Sequence, residues 1–267
     1  MNGPTVYINA VGLCGPGLPG WEASLQVLRG AAPYVSAETF IAPSARLPAA
    51  ERRRVGTPVK LAMAVAEDAM RSGEHDVCDL LSVFSSSGGD GDNCHLICEA
   101  LASSDRQLSP TRFTNSVHNA PSGYWGIALK AHRASTSLCA FDGSFSAGLL
   151  EAATQAVSAQ APVLLIAYDT PYPEPLRATR PIAHSLGVAL LIGPRPTPTS
   201  LTTLHVSLGR RNPDTLADSQ LEELRCNVPA ARSLPLLQAL ALGQTNSTVS
   251  LELFANQQLL LQLSPVS

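Results

Sequence analysis

The run Thr136-Ser-Leu-Cys-Ala-Phe-Asp-Gly-Ser-Phe-Ser-Ala-Gly-Leu-Leu-Glu-Ala-Ala153 holds a thiol, Cys139, and a hydroxyl, Ser144, on either side of an Asp142-Gly143 corner. Its first part is short, β-prone and apolar. Its second part sets Phe145, Leu149, Leu150 and Ala153 at helical spacing. The pattern is a strand driven through a sharp turn into a buried helix, an elbow made of Cys139, Ala140, Phe141, Asp142 and Gly143. At such a corner the helix N–H groups and macrodipole lower a thiol pKa and stabilise an oxyanion, which suits nucleophilic chemistry. Cys139, or Ser144 with His118 as base, would be the nucleophile of a stand-alone hydrolase or decarboxylase. The sequence favours a plainer role for His118, a hydrogen-bonded structural histidine.

Two other patterns invite chemistry and carry less. Cys94-His95-Leu-Ile-Cys98 sets soft ligands at i and i+4 on a helix, but zinc takes four ligands and no second pair has matching spacing. A packed, apolar cysteine pair without metal is expected. Glycines 12, 15 and 17 lack a nucleotide-binding spacing and an acidic residue for a ribose, so they read as a tight turn. No cofactor and no metal is implied.

With 267 residues the chain holds one large or two small domains and can bury a sizeable core. A net charge of −3 gives no basic footprint for nucleic acid or anionic lipid. Arg52-Arg53-Arg54 reads as a solvated face, with a carrier-protein contact as the weaker reading. Charged residues are 15%, against about 25% in an average soluble domain, and mean hydropathy is +0.11. That suits either a permanent partner covering apolar surface or a genome rich in Ala and Leu. The first residues lack a basic start followed by a long apolar run, and nothing reaches membrane-spanning length. Six cysteines without framework spacing point to free thiols and a cytoplasmic chain.

In order, Thr5–Gly12 reads as a buried strand, Trp21–Leu28 as a helix closed by Gly30, and 31–54 as a surface excursion. Pro58–Met70 is a small-residue helix, Asp79–Ser86 a core strand, and Asn93–Ala102 a helix after a Gly-rich turn. A polar loop over 103–114 precedes a helix from about Ser122. Ala134–Cys139 is the strand before the elbow, and Pro162–Tyr168 and Gly187–Ile192 are strands buried on both faces. Beyond the Pro-rich linker at 194–199 come a strand (Leu201–Leu208), a polar loop, a helix (Leu234–Leu240) and a terminal hairpin turning at Ala255-Asn256.

The elbow, and Asn115-Ser-Val-His-Asn-Ala-Pro-Ser-Gly-Tyr-Trp-Gly-Ile-Ala-Leu129 before it, resemble the middle of a β-ketoacyl synthase, a condensing enzyme of the thiolase fold. Arg180-Pro-Ile182 stands where the family has Arg-Pro-Phe. Ala239-Leu-Ala-Leu-Gly-Gln-Thr-Asn246 resembles its closing Phe-Gly-Phe-Gly-Gly-Thr-Asn motif, leaving Leu240, Leu242, Gly243, Thr245 and Asn246 as its remnant. The resemblance implies an α/β, thiolase-like layered fold. Its N-terminal half, 1–193, is essentially complete, and its C-terminal half, 194–267, is truncated to a few strands and a helix.

In the family pattern the nucleophilic cysteine lies three residues before the glycine. Here that position is Ala140, and Cys139 is one register off, on the opposite face of a strand. The stretch that supplies two catalytic histidines is largely missing, and after His184 only His205 remains. The resemblance therefore implies no catalytic residue and a non-catalytic partner, a chain length factor of the small aryl polyene type. Its active ketosynthase partner condenses malonyl units on an acyl carrier protein, which this chain meets only indirectly. Tunnel and partner-interface candidates are Phe113, Asn115, His118, Tyr124, Trp125, Ser135 and Ser137. For each aromatic one, a place in the core is the competing role.

Overall fold

The computed structural model describes residues 3–72 and 77–266. Strands β1 (Thr5–Cys14), β2 (Leu81–Ser85), β3 (Ser135–Leu138), β4 (Val163–Asp169), β5 (Leu186–Gly193), β6 (Thr202–Gly209), β7 (Ser247–Phe254) and β8 (Gln257–Ser264) join in one sheet. Its order is β3-β2-β4-β5-β1-β6-β8-β7. β2 is parallel to both of its neighbours, while β5 runs antiparallel to β4 and β1. β6 pairs antiparallel with β1, so the sheet continues from residues before 194 into those after it. The helices are α1 (Trp21–Leu28), α2 (Ala49–Arg54), α3 (Thr57–Ala69), α4 (Gly91–Ala102), α5 (Pro110–Thr114), α6 (Ala120–Leu129), α7 (Ser144–Ala159), α8 (Leu176–Thr179), α9 (Ser219–Asn227) and α10 (Leu234–Ala241).

The apolar run of β4 leaves no polar face, so the strand must be covered twice. Val163, Leu165 and Ala167 join a core with α1, α7, α9 and α10. Leu164, Ile166 and Tyr168 point the other way, into a core with α3 and α6. The result is three layers, helix–sheet–helix. Gly12 lies within β1, not in a turn as expected: a Cβ there would stand 2.0 Å from the Val65 carbonyl oxygen, so the glycine lets α3 lie close on the strand. Gly17, at φ +66°, is the residue of that group that needs left-handed backbone.

The expected polar loop before α10 contains α9. Asp218 caps it by accepting from the N–H groups of Gln220 and Leu221, and Leu221 and Leu224 bury its inner face. The expected polar loop at 103–114 likewise ends in a short helix, α5, capped by Ser109.

Candidate functional site

The elbow is built as the sequence pattern requires. β3 ends at Leu138, a single 3-10 turn spans Phe141–Gly143, and α7 starts at Ser144. Phe141 takes φ +52°, a left-handed conformation that a bulky residue seldom adopts. Ser144 holds that turn: its hydroxyl donates to the Phe141 carbonyl at 2.6 Å and accepts from the Ala140 N–H at 3.0 Å. It is 2% exposed, so neither solvent nor a substrate reaches the oxygen. A Cβ on Gly143 would lie 2.1 Å from the Leu253 carbonyl, because β7 runs directly over the corner.

Charge closes the front of the corner. Arg180 lies 3.8 Å above the Phe141 ring and donates to Asp142 at 2.7 Å. Arg232 donates to the other Asp142 oxygen at 3.1 Å and pairs with Glu252 of β7. Glu252 also meets Arg225, at 3.4 Å, and Arg225 is held by Glu222 in a two-pronged bond of 2.7 and 2.8 Å. Hydrogen bonds from Arg225 outweigh burial and pull the Glu222 carboxyl down to about 2. Burial lowers the Arg232 pKa, against the attraction of Asp142. Signs alternate along this chain of six groups. It fastens the corner to β7, to α9 and to the segment before β5. A cleft of about 590 Å3 remains in front, lined by Ala140, Phe141, Asp142, Arg232, Glu252 and Phe254 among others, with no histidine among the described residues.

Behind the corner the polar groups converge on one carboxylate. Asp169, at the end of β4, is fully buried and accepts from the Ser87 N–H at 2.8 Å, the Ser87 hydroxyl at 2.7 Å and the Ser86 hydroxyl at 3.3 Å. The Ala230 N–H adds a fourth donor, from the C-terminal half. Burial pushes the acid up to about 6 in spite of these bonds. The turn it holds presents its carbonyls outward: Cys139 donates to that of Ser87 at 3.2 Å, and His118 Nε2 lies 3.3 Å from that of Ser86. The thiol and the imidazole are each bonded to backbone rather than to one another. A Cβ on Gly88 or Gly91 would strike the Tyr172 ring, so this Gly-rich turn wraps a side chain and leaves no phosphate cradle.

The interface candidates divide. Tyr124 and Trp125 are core residues, and Asn115 is buried between the Tyr124 hydroxyl and the Arg54 carbonyl. Phe113 is exposed. Ser135 bridges β2 and α6 through Ser82 at 2.9 Å and Ser122 at 2.8 Å, and the Ser137 hydroxyl is buried with no hydrogen-bond partner among the described residues. The remnant motif lies away from the cleft. Leu240 is buried, whereas Leu242, Gly243, Thr245 and Asn246 form an exposed turn after α10. The expected packing of Cys94 and Cys98 is wrong: both are exposed, because α4 rests on its neighbours through Gly91 and Asn93. Among the described residues no group of three or more His, Cys, Asp or Glu side chains is placed to hold a metal ion, and no helix is long and apolar enough to cross a membrane.

Sequence reasoning missed Asp169, Arg232, Glu252, Arg225 and Glu222. Two left a signal, an acid closing the apolar run Val163–Tyr168 and a lone charge inside Leu251-Glu-Leu-Phe254. Arg232, Arg225 and Glu222 left none, since only the tertiary fold brings them to the corner.

The architecture is thus a mixed sheet between helical layers, with an elbow at one strand end. The profile of the family described as beta-ketoacyl synthase, N-terminal domain, matches residues 24–254, and the chain belongs to that family. No curated protein matches it. Three similar solved structures share the thiolase-like ketosynthase fold. The ketosynthase ApeO in complex with its chain length factor ApeC from Xenorhabdus doucetiae gives 22% identity over 97% of this chain and 99% of that chain, with a TM-score of 0.73. The ishigamide ketosynthase/chain length factor gives 11% over 99% and 100%, with 0.71. AntDE:AntF, a type II polyketide acyl-carrier protein in complex with its ketosynthase bound to the hexaketide, gives 12% over all of both chains, with 0.75.

Proposed function

We propose that this chain is a non-catalytic chain length factor, the partner of an active β-ketoacyl synthase. It would shape the far end of that enzyme's acyl tunnel during polyene, polyketide or fatty-acid-type elongation on an acyl carrier protein. Aryl polyene assembly is the pathway type that the family resemblance suggests. The observation that carries the reading is a pairing of opposites. At the position that the resemblance gives to the nucleophile stands Ala140, beside a chain of paired charges, while β3, at the sheet's end, offers an edge with no strand partner among the described residues. Steric filling would set product length, because a longer chain would have to overpack the pocket.

The hydrolase reading has less support. Ser144 is buried and bonded on both sides, and the Cys139 thiol is engaged by a carbonyl. Co-expression with a ketosynthase encoded beside this chain should give a soluble 1:1 complex. Thioester turnover by the isolated chain that Cys139→Ser abolishes would sink the proposal.

A further inference from the structure

Four of the six cysteines are engaged. Cys14 is buried, its thiol donates to the Phe40 carbonyl, and burial, with Asp68 nearby, pushes it up to about 11. Cys78 donates to the Leu129 carbonyl at 2.9 Å, Cys139 to that of Ser87, and Cys226 to Glu222 at 3.6 Å. Cys94 and Cys98 differ. Both are exposed on α4, and no hydrogen bond among the described residues occupies either sulfur. Four residues apart on a helix, they share one face. Partial burial raises the Cys94 pKa, and Asp90 and the adjacent Cys98 raise it further.

What such a pair can hold is limited by distance and by ligand number. A disulfide needs Cβ atoms about 3.5–4.5 Å apart, whereas i,i+4 positions on a helix hold them about 5–6 Å apart. Zinc would need further ligands. His95 is not one of them: it pairs with Glu99 at 3.2 Å, one position round the helix from the thiols. An ion bonded to both sulfurs spans more than a disulfide, since each metal–sulfur bond is about 2.3 Å long. Soft cations select thiolate ligands, and two suffice for a linear one.

We propose that Cys94 and Cys98 form a two-coordinate site for a soft monovalent cation, copper(I) by chemical class. Two S–H bonds break, two S–metal bonds form, and both protons pass to solvent. No electron is transferred, and the bis-thiolate complex carries one negative charge. The helix pre-positions the second sulfur once the first has bound, so affinity should exceed that of one thiol by roughly two to four orders of magnitude. This site does not depend on the partner reading, and complex formation is scored separately from ion binding.

The test is an anaerobic titration of the full chain with copper(I) against a chromophoric chelator, repeated calorimetrically with silver(I) as a redox-inert probe. One equivalent should bind with release of two protons. Cys94→Ser or Cys98→Ser should weaken binding about a hundredfold or more. Leu96→Cys combined with Cys98→Ala keeps the number of thiols but turns one to another face, and it should weaken binding equally. Cys226→Ser should change nothing. Affinity retained in the Leu96→Cys/Cys98→Ala variant, or lost in Cys226→Ser, would overturn the assignment. All these side chains are exposed or partly exposed, and helical circular dichroism separates loss of the site from loss of fold.

Discussion

The two ends of the sheet are finished in opposite ways. At the β7 end the outer edge is occupied. The Asp214 N–H donates to the Ser250 carbonyl at 2.8 Å, the Asp214 carboxylate accepts from the Ser250 N–H at 3.1 Å, and Arg211 donates to the Thr248 carbonyl at 3.0 Å. At the β3 end, no hydrogen bond among the described residues reaches the outer backbone of Ser135–Leu138. The segment leading into that strand also exposes Phe113 (66%), Val117 (52%) and Ile127 (53%). Isolated proteins blunt such edges with charge, proline or a covering segment. A chain that does so at one end and leaves the other bare has there the edge that the proposed partner would cover.

The strongest break of that comparison is charge placed at the bare end. Phe113→Asp with Ile127→Asp should weaken the complex with the ketosynthase by at least about a hundredfold, the scale of buried apolar anchors in an interface. Both side chains are exposed, so the isolated chain should keep its urea midpoint. Unchanged affinity by calorimetry would remove β3 and its flank from the interface. A fall in the midpoint of the isolated chain would instead make them part of its own core.

Between the two ends, Asp169 joins the turn after β2 to Ala230 and predicts an unusual pH dependence. Its folded pKa, about 6, stands above the ordinary aspartate value of 3.8, so the native state binds the proton more tightly than the unfolded chain does. Its contribution to stability is therefore greatest below about pH 4 and falls as pH rises to 6, by about 3 kcal/mol for a shift of this size. Glu222, lowered to about 2, acts oppositely and in a separate window, losing stability as pH falls from 4.5. Asp169→Asn should flatten the urea midpoint between pH 4 and 6 relative to the parent. An unchanged slope would show that another group titrates there.

A smaller effect is expected at the covered end. Asp214→Ala removes one acceptor from the Ser250 N–H and should cost about 1–2 kcal/mol. It should also start concentration-dependent self-association, visible by light scattering, because the Ser250 N–H on that edge is then left open to another strand. Loss of stability without association would mean that the Asp214 segment serves packing alone.

The strands of the core were legible because their side chains alternate or run unbroken, as in β4. The elbow was legible because Asp142-Gly143 punctuates a change of period from two to 3.6. Even α9 announced itself through Asp218 ahead of Leu221 and Leu224, a cap passed over amid polar neighbours. The charge chain was not legible. Arg232 and Glu252 meet across 20 residues only because α10 packs on β7, and no local pattern encodes that meeting. Cys94 and Cys98 misled for a related reason: apolar neighbours at helical spacing suggest a buried face, while α4 sits at a margin with little to bury it.

The least effect is expected where the family would place its chemistry. Ala140→Cys returns sulfur to the corner, yet the sulfur alone should do nothing. A thiolate there would sit beside Asp142, whose negative charge opposes its ionisation. Arg180 and Arg232 already satisfy that carboxylate, so neither is free to favour the thiolate instead. Condensation also needs donors on the malonyl carbonyl as the carboxylate leaves, and no histidine among the described residues lines the cleft in front. Condensing turnover by the variant should match that of the Ala140 chain within about tenfold, or 1.4 kcal/mol, when followed by mass spectrometry of the carrier-bound product. A larger rise would mean that the corner has kept a working donor set and that only its sulfur was lost. The contrast between a closed corner and an open edge would then no longer describe this molecule.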